Sequence, residues 1–155
     1  MSKVTLITGA DIGDAQENIE SVTSFIEKQI GKIVLSSSIH TSIPWGFEAN
    51  TIFYNQVLIC ETNLTPEEVL KEIWIIESLF GRVRSEERYA SRTMDIDILF
   101  YDHQIISTKL LTIPHKLIEA RNFVLEPLSE IMGSFIHPVL NKSIDTLKTE
   151  LQENE

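Results

Sequence analysis

The 155-residue sequence has a single cysteine, Cys60, so no disulfide can close within the chain and no metal site can be built from several thiolates. That usage fits a reducing compartment. No stretch approaches the ~20 consecutive apolar residues a membrane span needs, and the apolar run at the start reaches Asp11 too soon for a signal peptide. Cations are scarce too: 13 Lys and Arg stand against 23 Asp and Glu, a net charge of −10. Nucleic acids and anionic membranes are held largely by neutralising phosphates with Lys and Arg, so neither is expected as a partner. The sequence also lacks repeats, low-complexity tracts and linkers. A soluble, cytoplasmic, monomeric chain forming one domain over 1–155 is the expectation, and 43% hydrophobic residues are ample for its core.

The few arginines are concentrated. There are five, and Arg82, Arg84, Arg88 and Arg92 fall within residues 82–92, a window that nets +2 and leaves −12 for the remainder. One arginine-dense segment in an acidic protein points to a compact anionic ligand rather than a polymer.

Around this segment the pattern alternates between strands and helices. Val4 to Thr8 reads as a buried strand closed by Gly9. Ile19, Val22, Phe25, Ile26 and Ile30 lie at helical spacing over 14–30, with Gly31 as the stop. Lys32 to Thr41 is strand-like, Ser42 to Asn50 a loop, and Phe53 to Glu61 a strand again. Thr65, Pro66 and Glu68 predict an N-cap, a proline in the first turn and a capping box. The helix they open would bury Val69, Leu70, Ile73, Ile76, Leu79 and Phe80. Met94 to Tyr101 alternates as a strand. From Leu111 onward the chain looks helical in pieces, with breaks at Pro114, Pro127 and Pro138. The order βαββαβ predicts an α+β fold, a ferredoxin-like sandwich with an antiparallel sheet, helices on one face and a mostly helical C-terminal extension.

Strand residues two apart share a face, so Asp95 and Asp97 project together, about 6.6–7 Å apart, while Met94, Ile96, Ile98 and Phe100 turn to the core. Paired carboxylates are hard oxygen ligands suited to Mg²⁺, which binds through one or two carboxylates plus substrate phosphates. By itself D-x-D is common on exposed sheet faces. Here the arginine segment runs straight into it, and guanidinium groups beside a carboxylate pair are the components of phosphoryl transfer.

The run from Gly81 through Arg82, Val83 and Arg84, then Arg88 to Leu99, resembles the signature of the 6-hydroxymethyl-7,8-dihydropterin pyrophosphokinases of folate synthesis. The likeness extends over Gly9, Pro44, Gly46, Asn55, Glu77, Pro114, His115, Arg121, Phe123, Pro127 and Leu128. It implies the ferredoxin-like fold and transfer of the terminal diphosphate of ATP to the hydroxymethyl group of the pterin, leaving AMP. By that resemblance Asp95 and Asp97 hold two Mg²⁺ ions, and Arg82 and Arg92 act with them on the transferring group. Glu77, Arg82, Arg84, Arg92, Ile98, Thr112, His115 and Arg121 would meet ATP. The pterin would lie among Ser42, Ile43, Trp45, Phe53, Asn55, Asp95 and Phe123. Partners are thus small-molecule substrates. Departures from the family pattern are Ala10 and Asp11 for Ser and Asn, Phe53 for Tyr, and Tyr89, Ala90 and Ser91 for Trp, Gly and Pro.

Other residues have plainer readings. Cys60 is expected in the core; Trp74, on or near the packed face of its helix, is read as core rather than site, although the resemblance places nucleotide contacts nearby; His40, His103 and His137 are structural or exposed, and Glu150 to Glu155 is a frayed helix end. Two rival classes share part of the pattern: a ferredoxin-like binding module without catalysis, and another Mg²⁺-dependent phosphotransferase or phosphohydrolase.

Overall fold

The computed structural model describes residues 1–11, 15–42, 52–80 and 94–154. Its core sheet contains β1 (Ser2–Ala10), β2 (Lys32–Ser36), β3 (His40–Ser42), β4 (Phe53–Thr62) and β5 (Asp95–Tyr101). The strand order is β2-β4-β1-β5, with β3 also on β4, and every pairing is antiparallel. With α1 (Ala15–Gln29) and α2 (Pro66–Leu79) as the two crossovers, this is the expected ferredoxin-like arrangement.

Helices cover both faces of the sheet, not one. Val4, Leu6, Leu58, Cys60, Ile96 and Ile98 pack with Ile19, Val22, Ile26, Val69, Ile73 and Ile76 of α1 and α2. On the opposite face Ile7, Val57, Leu99 and Phe100 pack with Val124, Leu125 and Leu128 of α3 (Asn122–Met132) and with Ile144 and Leu147 of α4 (Ile144–Glu153). A fully buried Ile or Leu contributes roughly 1.5–3 kcal/mol, so the C-terminal extension supplies a second core of its own.

That second core moves one residue across the sheet. The β1–β5 register slips between Thr5 and Leu6, which oppose Phe100 and Ile98, leaving Leu99 as an extra residue. The bulge reverses the alternation, so Phe100 sits under α3 and α4 instead of joining Ile96 and Ile98. The long strand expected over 32–41 is also divided. At the break, Ser37 N–H donates to Val57 C=O at 2.9 Å, while its hydroxyl oxygen accepts the Val57 N–H at 2.9 Å.

Local chemistry sets several element ends. Thr65 caps α2: its hydroxyl accepts the Glu68 N–H at 3.1 Å and its N–H donates to the Glu68 carboxylate at 2.9 Å. Gly31 is required because a Cβ there would stand 2.0 Å from the Glu61 carbonyl oxygen of β4. Leu79, assigned above to the buried face of α2, is 57% exposed, since it lies well round the helix from Val69, Ile73 and Ile76. Pro127 does not break a helix but sits inside α3. The chain between β5 and α3 forms a short hairpin, β6 (Ile106–Ser107) and β7 (Thr112–Ile113), followed by one 3-10 turn, Ile118–Ala120, so the helical expectation from Leu111 onward fails at β7.

Candidate active site

The site is built on the open end of the sheet face that α3 and α4 cover elsewhere. Asp95 and Asp97 are exposed, and Ile96 between them is buried, so both carboxylates stand on one face as strand alternation requires. Gly9 of β1 lies opposite Asn55 on β4 and opposite Asp95 on β5. The three residues form one row across the sheet, and the next row in is Val57, Ile7 and Asp97. Gly9 keeps the first row open: a Cβ there would meet Asn55 Nδ2 at 2.6 Å. In its absence the Asn55 amide reaches over β1 and donates to Thr8 C=O at 3.3 Å.

His115 closes one side. Its N–H donates to Leu99 C=O at 3.0 Å, which fixes it against β5, and Nε2 lies 4.0 Å from Asp97 Oδ1. Nδ1 is 2.9 Å from the Lys116 carbonyl oxygen. A carbonyl only accepts, so the proton of neutral His115 sits on Nδ1, and Nε2 faces Asp97 with its lone pair.

The aromatic and cationic parts come from the start of α3, Phe123 in its first turn and Arg121 at its N-cap. Phe123, which pattern alone would bury, is 42% exposed, and the Arg121 guanidinium carbon is 5.9 Å from its ring centre. Phe53 opens β4, two residues from Asn55 and hence on the same face, whereas Tyr54 packs into the α1–α2 core. Ser42 ends β3, opposite Phe53. Thr112 begins β7. The Ile98 side chain is 4% exposed, so only its backbone can meet a ligand. Arg82, Arg84, Arg92, Ile43 and Trp45 lie outside the described residues.

Two features differ from or add to the reading of the sequence. The Glu77 carboxylate accepts the Ile96 N–H at 2.9 Å, so Glu77 braces the aspartate strand. Trp74, assigned above to the core, is 49% exposed. The signal for Trp74 was present in its helical phase, which follows Leu70 and Glu77 rather than Val69, Ile73 and Ile76.

Away from this face the expected bland residues hold. Cys60 is fully buried, and burial pushes its thiol up to about 12. His137 is buried, which lowers its basicity, and its Nδ1 accepts the Val139 and Leu140 N–H groups at 3.2 and 3.1 Å.

Fold and site together define a ferredoxin-like domain with a carboxylate pair, an imidazole and an aromatic on one exposed sheet end. Residues 5–133 match the model of the 7,8-dihydro-6-hydroxymethylpterin-pyrophosphokinase (HPPK) family. The 2-amino-4-hydroxy-6-hydroxymethyldihydropteridine pyrophosphokinase of Aquifex aeolicus is 38% identical over 154 residues, covering 97% of this chain and 92% of that protein. The chain belongs to this family. Folic acid synthesis protein FOL1 of Dictyostelium discoideum is 39% identical across 96% of the chain, which spans only 22% of that longer protein. Among solved structures, the Plasmodium falciparum HPPK-DHPS wild type superposes with a TM-score of 0.78 at 17% identity, over 96% of this chain and 44% of that one; at that identity the likeness speaks for the fold.

Proposed function

We propose that this chain, acting as one domain, transfers diphosphate from ATP to the hydroxymethyl group of 6-hydroxymethyl-7,8-dihydropterin in folate synthesis, giving AMP and the pterin diphosphate. The observation that carries the reading is the row Asn55, Gly9, Asp95 with Asp97 and His115 beside it. It brings a heterocycle-reading amide next to a phosphate-handling carboxylate pair.

In the reaction the hydroxymethyl oxygen attacks the β-phosphorus of ATP. The bond from that phosphorus to the α,β-bridging oxygen breaks, AMP leaves with the oxygen, and the hydroxyl proton passes to solvent. Asp95 and Asp97 are hard donors on one exposed face and fit Mg²⁺, two ions being the expectation. The metal supplies neutralisation of phosphate charge and alignment of the two substrates. Asn55 pairs with the pterin edge, its position set by Gly9, while Phe123 and Phe53 offer ring faces to the pterin. By the family resemblance Ser42, Ile43 and Trp45 would also meet the pterin. His115 and Arg121 meet ATP, and Arg82, Arg84 and Arg92 bind its phosphates by paired N–H donors. Arg82 and Arg92 stabilise the transferring group. Glu77, Thr112 and the Ile98 backbone border the nucleotide.

No described helix is long and apolar enough to cross a membrane, and a cytoplasmic location suits ATP as the donor. The test is AMP release from MgATP with and without the hydroxymethylpterin. Acceptor-dependent AMP formation is expected. AMP without acceptor, or pyrophosphate as the leaving product, would mean a hydrolase or nucleotidyltransferase, and no turnover with both substrates bound would mean a binding module.

A further inference from the structure

The row of Asp95, Gly9 and Asn55 continues past β4. His40 of β3 lies opposite Asn55, and residues directly opposite on antiparallel strands share a face, with Cβ atoms about 4.5–5.5 Å apart. Four strands therefore present His40, Asn55, Gly9 and Asp95 in line. His40 stands at the end farthest from the carboxylate pair.

There it meets α3. The Glu130 carboxylate accepts from His40 Nε2 at 2.8 Å, from the Ser38 N–H at 3.0 and 3.1 Å, and from the Ser38 hydroxyl at 2.9 Å. Serine, histidine and an acid are the residue types of a nucleophilic triad, but the connections here are not those of one. The Ser38 oxygen is 3.4 Å from Nε2, the same nitrogen that donates its proton to Glu130, so the imidazole has no lone pair there to take the Ser38 proton. Serine and histidine both donate to one carboxylate. The cluster instead joins α3 to the start of β3, a strand of three residues that pairs with β4 alone among the described strands.

Phe123 comes seven residues before Glu130 on the same helix. Two turns bring it to the same flank, about 10.5 Å along the axis. Val124, Leu125 and Leu128 form the buried side of α3, and Phe123 and Glu130 lie beside that side, both exposed. The exposed ring and the Asn55 amide thus belong to different elements, and Glu130 links them through His40 and β3.

We propose that the cluster of His40, Ser38 and Glu130 is a clamp that sets the Phe123 flank of α3 against the Asn55 row, which makes His40 a positioning residue for the pterin. This rests on the diphosphate-transfer reading above, because that reading makes the pterin the ligand of Asn55 and Phe123. Nucleotide binding belongs to the Asp97 and His115 end of the site and is outside the reach of the clamp.

The experiment compares wild type with His40→Ala, His40→Gln, Glu130→Ala and the double variant His40→Ala/Glu130→Ala. Each is titrated calorimetrically with Mg²⁺ and a non-hydrolysable ATP analogue, and then with hydroxymethylpterin. His40→Ala should weaken the pterin ~5-fold, on the scale of one lost hydrogen bond, with the analogue unchanged and kcat at saturating pterin within ~2-fold of wild type. His40→Gln, whose amide nitrogen reaches about where Nε2 stands, should restore most of the loss. The double variant should be no weaker than Glu130→Ala alone, because both changes remove the same contact. Wild-type pterin affinity in His40→Ala overturns the clamp and leaves diphosphate transfer standing. Equal weakening of analogue and pterin, or additive losses in the double variant, also overturns it. If the wild-type protein binds the analogue but no pterin, the transfer reading falls and the positioning role falls with it.

Discussion

Glu77 of α2 accepts the backbone N–H of Ile96 at 2.9 Å, and Ile96 is the one residue between Asp95 and Asp97. The edge strand is thus pinned from the side opposite its sheet partner, at the point where both carboxylates are aimed. Removing the acceptor leaves a part-buried N–H unpaired, which costs about 1–3 kcal/mol, and lets the aspartate pair shift. Glu77→Ala should lower kcat for AMP formation by ~10-fold or more and raise the Mg²⁺ concentration needed for half-maximal rate. Glu77→Gln keeps an oxygen acceptor and should recover most of kcat. A change confined to the KM for ATP, equal in both variants, would make Glu77 a nucleotide contact only.

Asp97 tests the carboxylate pair itself. Its side chain is 56% exposed and stands on the face away from the α1–α2 core, so Asp97→Ala should leave the thermal midpoint within a few degrees of wild type. Turnover should fall by at least ~10²-fold, the scale seen when a preorganised electrostatic group is lost from a transferring centre. Circular dichroism melts and AMP release on the same preparation check both halves of this expectation.

Gly9 and Asn55 separate fold from site. A Cβ at Gly9 would come 2.6 Å from Asn55 Nδ2, the free end of a flexible side chain, so Gly9→Ala can be relieved by swinging Asn55 aside. The stability cost should stay under about 1 kcal/mol, while pterin affinity drops ~10-fold through the lost amide contact. Adding Gly9→Ala to Asn55→Ala should cost little further affinity, because the two changes remove the same contact. Calorimetric titration of the pterin into the four proteins reads this directly.

The elements named by local rules were legible because each carries its own short-range signal. The Thr65 capping box, the alternation that exposes Asp95 and Asp97, and the apolar spacing of Ile19, Val22 and Ile26 are all fixed within a turn or two of chain. What escaped depends on distant contacts. Phe100 changes face because a bulge against Thr5 shifts its phase and a second core from α3 and α4 is there to receive it. Pro127 is the sixth of the eleven residues of α3, where it removes one interior i→i−4 bond, and it is among the residues that helix buries. Glu77 was legible as a site residue through family resemblance, but its bond to Ile96 needed the tertiary crossing of α2 over β5.

Cys60 gives an alkaline signature. Burial first, and the negative charge of Glu27 second, push its thiol from 9.0 to about 12. The unfolded chain therefore releases this proton at lower pH than the folded one, and the linked stability falls as pH rises from about 9 toward 12. At pH 8 the native protein should not react with a thiol reagent on a timescale of minutes, and should react at once in denaturant. Cys60→Ala should flatten the loss of stability between pH 9 and 11 even if its overall stability is lower.

Glu130 supplies the opposite sign at acid pH. Its carboxylate accepts from His40 Nε2 at 2.8 Å, from the Ser38 N–H at 3.0 and 3.1 Å, and from the Ser38 hydroxyl at 2.9 Å. The His40 hydrogen bond foremost, then that from the Ser38 backbone, holds its carboxyl below the ordinary 4.5. The contribution is complete above that value and is lost as pH falls through the lower folded one. These bonds tie α3 to the segment between β2 and β3, whose end at Ser42 opposes Phe53. Because the pair is partly exposed, Glu130→Gln should cost no more than about 1 kcal/mol. The variant should lose less stability than wild type on acidification below pH 5. Its KM for the pterin should rise several-fold at pH 7 with kcat held, since the bonds that position the Ser42 end are weakened while Asp95 and Asp97 are untouched.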